Sequence, residues 1–209
     1  MLSLSKIYFL SMPKVFLLKP GSILRDESGR ILDARSSVTL IVSGSRKIVA
    51  DTGLAGEEEP ILRALAELGI KPEDIDVIIN THSHPDHCGN NHLFSRAEVL
   101  TPGEGEAIAP GVWVMETPGH TLDSISLAAA CMQGSEKMRI VVAGDALPTL
   151  GNFQKNVPPA LHVDRDLAIS SMKRIVRAAD VVVPGHDLPF SVNTGGYAAL
   201  LKRRIAEYP

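Results

Sequence analysis

Residues 81–87 read THSHPDH and directly follow the short apolar run 77–79. A short apolar run that ends in polar residues is typical of a buried strand. Alternate side chains of an extended segment point the same way, so His82 and His84 can converge on one ion. Because imidazole nitrogens are common metal ligands, the segment predicts a metal site at the end of a strand.

The chain must turn after these two histidines, because Pro85 follows them. Asp86 and His87 come next and can face a second ion, since two-metal sites hold their ions about 3.5–4 Å apart. The alternative is a polar loop with an accidental group of histidines. The chain has only 7 histidines in 209 residues, and this group lies at a strand end, which favours the metal site.

Two further histidines each follow an apolar run and a Pro-Gly turn: His120 comes after 112–115 and His186 after 181–183. Glycine permits positive φ, so such a turn can direct an imidazole to a fixed place. Asp145 also follows a strand and a glycine; alone, it would be interpreted as a cap or turn residue. Beside a histidine cluster its carboxylate can bridge two cations, so we expect all three side chains to join the site.

Strand and helix patterns alternate along the rest of the chain. Apolar runs predict further strands at 15–18, 38–42, 47–50, 98–100, 124–129 and 139–143. Helical periodicity predicts helices at 60–68, 167–178 and 197–207, and another that begins near Gly89 and carries His92. This mixture predicts an α/β layered fold. We expect one domain over residues 12–209, with residues 1–11 a candidate N-terminal extension.

Composition excludes several classes of protein. A hydrophobic content of 44% supports a buried core, and a net charge of −3 gives no general attraction to nucleic acid or anionic membranes. No apolar run approaches the roughly 20 residues that a membrane span requires, and the N-terminus lacks a signal peptide pattern. Two cysteines cannot form a disulfide framework. We therefore expect a cytoplasmic protein without a membrane partner; the sequence does not indicate an oligomeric state.

The site residues, taken in order, resemble the ligand set of the metallo-β-lactamase superfamily. The matching positions are His82, His84, Asp86, His87, His120, Asp145 and His186. Asp51, in an Asp-Thr-Gly segment, is similar to an acidic residue of the family that supports the metal ligands. The resemblance covers about residues 15–190 and implies the four-layer αββα sandwich, with the metals at one end of two sheets.

The resemblance also implies how the ligands divide between two ions. The first ion would be held by His82, His84 and His120. The second ion would be held by Asp86, His87 and His186, with Asp145 between the two. The implied cofactors are two Zn²⁺ ions, with Fe or Mn as alternatives at either position. The implied activity is hydrolysis of a small ester, thioester or lactone by a metal-bound hydroxide, with Asp86 as the catalytic residue that orients the nucleophile.

Departures from the patterns of particular subgroups reduce the number of activities that the resemblance implies. Asp145 stands where the B1 zinc β-lactamases have Cys, and His87 follows Asp86, so antibiotic hydrolysis is disfavoured. His84 is not Glu, which argues against the flavodiiron subgroup. The chain ends soon after His186, which leaves little room for the C-terminal domain of glyoxalase II. Residues 80–94 and 179–192 are similar to the metallo-β-lactamase domain-containing protein 1 group, so a small glyoxalase II-like hydrolase is expected.

Three other functions remain open. A nuclease or phosphodiesterase of the same fold is favoured by a basic helical face with Lys173, Arg174 and Arg177, but the net charge disfavours it. A mononuclear iron dioxygenase of the persulfide type would use a subset of the ligands. The third alternative is a non-catalytic protein whose metal ions stabilise a scaffold for a partner. In the leading interpretation the substrate is a small molecule, and residues 149–164, which include Phe153, Lys155 and His162, are candidates to cover the pocket.

Overall fold

The computed structural model describes residues 12–133 and 136–200, whose strands form two large sheets and a hairpin. The first sheet has the spatial order β1 (Lys14–Lys19), β4 (Val38–Ser43), β5 (Arg46–Ala50), β6 (Val77–Ile79) and β7 (Glu98–Leu100). The second has the order β13 (Phe190–Ser191), β12 (Val181–Pro184), β11 (Glu136–Gly144), β10 (Ile125–Gln133), β9 (Val112–Glu116) and β8 (Ala107–Ala109). The hairpin pairs β2 (Ser22–Arg25) with β3 (Ile31–Arg35).

Helices cover the outer face of each large sheet. The described α-helices are α1 (Glu58–Glu67), α2 (Pro85–Cys88), α3 (Leu150–Lys155) and α4 (Arg165–Ala178). Helix α1 packs Ile61 and Leu65 against the first sheet, and α4 packs Met172 and Ile175 against the second. The layers follow in the order α, β, β, α, which confirms the predicted sandwich. None of the described helices is long and apolar enough to cross a membrane.

Neighbouring residues of a strand enter different parts of the core because successive side chains point to opposite faces. In β1, Val15 lies between the two sheets, whereas Phe16 faces the layer with α1. In β11, Val142 lies between the sheets and Val141 faces the layer with α4. Because both faces are covered, these strands appear as continuous apolar runs in the sequence.

Two parallel strand pairs determine where the polar strand ends meet. Strand β5 pairs in parallel with β6, so Ala50 lies opposite Ile79. Strand β11 pairs in parallel with β12, so Gly144 lies opposite Pro184. Since the carboxyl ends of parallel neighbours lie at the same edge of a sheet, the residues after these four strands are brought together at one end of the sandwich.

The predicted strands and two of the helices were found close to their expected bounds. The helix predicted near Gly89 is a 3₁₀ turn at Asn91–Leu93, and residues 149–164 contain α3, which begins where the Thr149 side chain accepts a hydrogen bond from the Asn152 amide. The hairpin was not predicted, because none of its strand residues is buried and its strands lack a continuous apolar run.

The helix predicted at 197–207 is wrong over residues 197–200. There the chain forms no helix, and Tyr197 pairs with Phe190 as an isolated antiparallel bridge. The remainder of that helix, and the candidate extension at residues 1–11, lie outside the described residues.

Candidate metal centre

The predicted ligands lie at the end of the sandwich where the parallel strands terminate. Asp145 directly follows β11, His186 lies two residues after β12, and His120 lies four residues after β9. The side chains brought together are His82, His84, Asp86, His87, His120, Asp145 and His186. They form overlapping groups of three, in each of which the candidate ligand atoms lie within 4.8 Å of one another.

The first group consists of three imidazoles from two loops. The Nδ1 atom of His84 lies 3.0 Å from Nε2 of His82 and 3.0 Å from Nε2 of His120. His82 and His120 are buried, whereas His84 is half-buried. Three ring nitrogens therefore face one point that is open to solvent on the His84 side.

The second group combines two imidazoles with a carboxylate. The Oδ2 atom of Asp86 lies 3.6 Å from Nε2 of His186 and 3.7 Å from Nε2 of His87. Asp145 lies between the groups, because its Oδ1 is 3.3 Å from His87 Nε2 and its Oδ2 is 3.5 Å from His120 Nε2. The two oxygens of one carboxylate thus face both groups.

Oxygen acceptors on the far side of three rings fix their orientation. The Nδ1 atom of His87 contacts Asp51 Oδ2 at 2.8 Å, that of His120 contacts the Leu161 carbonyl at 2.7 Å, and that of His186 contacts the Arg35 carbonyl at 3.0 Å. These oxygens only accept, so each Nδ1–H donates. The Nε2 lone pair of each ring is then directed into the cluster, as a metal ligand requires.

Asp51 ties the loops after β5 and β6 together from a buried position. Its Oδ1 accepts from the Thr81 amide at 2.7 Å, and its Oδ2 accepts from the Thr81 hydroxyl at 2.9 Å. The Thr81 oxygen in turn lies 3.2 Å from Nδ1 of His82. Asp51 adopts a φ of 57°, an unfavourable conformation for a non-glycine residue that these bonds hold in place.

Two glycines allow the strand ends to approach each other. A Cβ at Gly144 would lie 2.3 Å from Thr81 Oγ1, and a Cβ at Gly185 would lie 2.1 Å from Asp145 Oδ1. Gly144 also has a φ of +51°. Any larger residue would push the loop after β6, or the Asp145 carboxylate, out of position.

Burial and neighbouring charges set the protonation of the cluster. Burial lowers the pKa of His82 to about 2 and, together with the neighbouring His120, lowers the pKa of His84, so both rings are neutral at neutral pH. Burial opposes the charge on Asp145, but the neighbouring His186 and His87 side chains hold its pKa well below the ordinary value. Burial opposes a charge on His87 and His186 as well, but adjacent carboxylates raise the pKa of both rings. The cluster thus combines neutral imidazoles at His82 and His84 with imidazoles that face an ionised carboxylate, and a divalent cation would take the place of the proton on those rings.

Two buried polar atoms of the cluster lack hydrogen-bond partners in the part of the chain that the structure describes, and this bears on whether a metal fits there. Neither Nε2 of His87 nor Oδ1 of Asp145 has a hydrogen-bond partner among the described residues, although both are shielded from solvent. Buried polar atoms are rarely left in this state. A cation between them would satisfy both, so the residues present fit a metal.

Other polar candidates lie outside the cluster. The side chain of His92 is 65% exposed, and His162 contacts the Pro159 carbonyl through Nδ1 at 2.7 Å. In the basic face, Arg174 pairs with Glu104. The other two residues of the basic face, Lys173 and Arg177, line a separate groove of about 310 Å³ beside Phe153.

Sequence analysis missed two supporting groups, the carbonyls of Leu161 and Arg35. Every residue has a backbone carbonyl, so no sequence signal distinguishes these two.

Known proteins resemble this chain over most of its length. A family model described as the metallo-beta-lactamase superfamily matches residues 33–113. A probable metallo-hydrolase from Methanocaldococcus jannaschii is 37% identical over 82% of this chain and 85% of its own length. Metallo-beta-lactamase domain-containing protein 1 from Xenopus laevis is 34% identical over 84% of this chain and 80% of its own. An N-acyl homoserine lactonase from Bacillus cereus is 31% identical over 63% of this chain and 64% of its own.

The fold has a counterpart among solved structures. An N-acyl homoserine lactone hydrolase with N-hexanoyl-L-homoserine at its catalytic metal centre superimposes with a TM-score of 0.66 and 24% identity, over 84% of this chain and 94% of that one. At this identity the likeness shows a shared fold, and the relatives above support a metal-dependent hydrolase. The chain belongs to the metallo-beta-lactamase superfamily, as the ligand pattern predicted.

Proposed function

We propose that the protein hydrolyses a small ester, thioester or lactone with two metal ions bound by the seven clustered side chains. One observation carries the proposal: the two oxygens of Asp145 face His87 on one side and His120 on the other, at 3.3 and 3.5 Å. A carboxylate in this position can bridge two cations. Imidazole and carboxylate ligands suit Zn²⁺, with Fe or Mn as alternatives.

We assign the ligands to two ions by two of the groups that the candidate ligand atoms form. The first ion would be held by His82, His84 and His120. The second ion would be held by Asp86, His87 and His186, with Asp145 shared. When bound, such a pair lowers the pKa of a coordinated water and polarises the bond that is attacked.

The chain's own residues would complete the chemistry. The Asp86 side chain is 18% exposed, compared with 11% for Asp145, so it is the carboxylate more open to a substrate. We assign to Asp86 the orientation of the attacking water and the transfer of a proton to the leaving oxygen. In a lactone, water adds across the ring C–O bond, and the product is a hydroxy acid.

A lactone or ester is favoured by the relatives and by the position of the basic residues. The chain is 31% identical to an N-acyl homoserine lactonase over 63% of its length. In the basic face, Arg174 is paired with Glu104, while Lys173 and Arg177 line a groove outside the cluster. This placement argues against a polyanionic substrate.

We also propose that residues 12–209 act as one domain in the reducing cytoplasm, where the free thiols Cys88 and Cys131 would persist.

Elemental analysis of the purified protein, combined with an ester, thioester, lactone and phosphodiester panel, tests the proposal. We expect two zinc ions per chain and turnover of the first three classes. His84→Ala should lose both metal and turnover, whereas His92→Ala, a substitution of an exposed histidine, should keep both. A single iron per chain with oxidation of a persulfide would instead support the dioxygenase, and turnover by metal-free His84→Ala would exclude a metal mechanism.

A further inference from the structure

A cavity of about 500 Å³ has one imidazole of the first group, that of His82, in its lining. It is lined by His82 and Ser83 from the loop after β6, and by Leu122, which lies two residues after His120. The two loops that carry the three imidazoles therefore also form walls of the cavity. A substrate whose reacting carbon lies at the cluster would extend one of its ends into this space.

The cavity presents apolar surface that the fold leaves uncovered. Leu122 is 72% exposed, and Val99, on the edge strand β7, is 53% exposed. Leu100 and Ile125 extend this lining. Exposed apolar side chains around a cavity next to a reactive centre are the usual walls of a small-molecule site, because a bound alkyl group removes them from water.

The charges of the cavity are of one sign. Glu116 and Asp123 line it, and no Lys or Arg does so in the part of the chain that the structure describes. Arg174 reaches the Glu116 carbonyl at 2.9 Å, but its guanidinium also pairs with Glu104. A negatively charged substrate group would therefore meet two carboxylates without a cation among the lining residues to offset them.

On the basis of the function proposed above, we infer that this cavity selects an apolar, uncharged acyl group, and that Glu116 and Asp123 reject acyl groups that end in an anion. The acyl group is assigned to the cavity because its carbonyl carbon stays at the cluster while the alcohol leaves for solvent. Leu122 and Val99 would determine the affinity for the alkyl chain. Glu116 and Asp123 are thus specificity residues rather than catalytic ones.

A matched pair of esters tests the charge rule. The p-nitrophenyl ester of hexanoic acid and the mono-p-nitrophenyl ester of adipic acid have acyl chains of similar length and differ in a terminal methyl or carboxylate. With metal-loaded wild type we expect kcat/KM for the hexanoate to be about tenfold higher. The ratio should shrink in about 0.5 M salt, because exposed carboxylates are screened.

Substitutions separate the effect of the two carboxylates on substrate preference from the effect of the apolar lining. The double variant Glu116→Gln/Asp123→Asn should reduce the hexanoate-to-adipate ratio about fivefold. The control Glu98→Gln removes an exposed carboxylate of β7 that does not line the cavity, and should leave the ratio unchanged. Leu122→Ala should lower kcat/KM for the hexanoate about tenfold more than for the corresponding acetate.

Each outcome decides between the two proposals. Faster hydrolysis of the adipate, or an unaltered ratio in the double variant, would overturn the charge rule while leaving the hydrolase function intact. If metal-loaded wild type hydrolyses neither ester, the proposed function fails for acyl esters. The charge rule is then decided by calorimetric binding of hexanamide and adipic acid monoamide, and tighter binding of the charged amide would overturn it.

Discussion

The Nδ1 atom of His87 lies 2.8 Å from Oδ2 of Asp51, and both side chains are buried. Asp51 directly follows β5, whereas His87 lies in α2, beyond the end of β6. The contact therefore joins the ends of two adjacent parallel strands. It also leaves Nε2 of His87 facing Asp86 and Asp145. A residue that does not itself face the proposed ions controls the orientation of one that does.

Asp51→Asn should weaken metal binding without removing a ligand. The amide cannot offer two carboxylate oxygens to Thr81 and His87, so the ring loses its fixed orientation. We expect metal affinity to fall about 10–100-fold, as measured by competition with a chelator. Glu67→Gln, which changes an exposed carboxylate of α1, is the control. Equal affinity in the two variants would show that Asp51 has no role in orienting His87.

Gly185→Ala should disrupt the site sterically. The added Cβ would lie 2.1 Å from Asp145 Oδ1, so the carboxylate or the strand end must move. We expect a loss of about 1–3 kcal/mol in the free energy of unfolding, and substoichiometric metal. Gly151→Ala is the matched control, since its nearest neighbour would be 3.5 Å away and alanine is favoured within a helix. Normal metal content in Gly185→Ala would contradict the structure around Asp145.

The Arg174–Glu104 ion pair should contribute modestly and in a pH-dependent way. Its hydrogen bond lowers the pKa of the Glu104 carboxyl, so its contribution is complete above the ordinary glutamate pKa of about 4.3. The contribution is lost as the pH falls through the lowered value. Both side chains are 45% exposed, so we expect less than about 1 kcal/mol in a double-mutant cycle of Arg174→Ala and Glu104→Ala. Coupling that persists in strong acid, measured by urea unfolding, would contradict this assignment.

The two thiols should differ in reactivity. Burial raises the pKa of the Cys131 thiol to about 12, whereas Cys88 is half-buried. At about pH 8 we expect a disulfide reagent to modify only Cys88 in the folded protein, because the thiolate is the nucleophile. Cys131 should react after unfolding. In the Cys88→Ser variant Cys131 is the only thiol left. Rapid modification of that folded variant would contradict the prediction and show that β10 opens readily.

Local patterns were sufficient to predict which side chains gather at the candidate metal centre. Each predicted ligand follows an apolar run, and a run such as 77–79 can be recognised without knowledge of its neighbours. The cavity could not be predicted in this way. Leu122 and Val99 are far apart in sequence and become walls of one space only because β7 and the loop after β9 lie near each other.

The amino-acid sequence by itself determined the residue types of the candidate metal centre and the strand ends that carry them, because hydrophobic periodicity and ligand chemistry are local properties. Only the tertiary structure decided which atoms support those ligands. The Leu161 and Arg35 carbonyls come from a distant loop and from a hairpin that has no strong local pattern. Their roles depend on long-range packing, which brings together backbone groups that are chemically the same at every position.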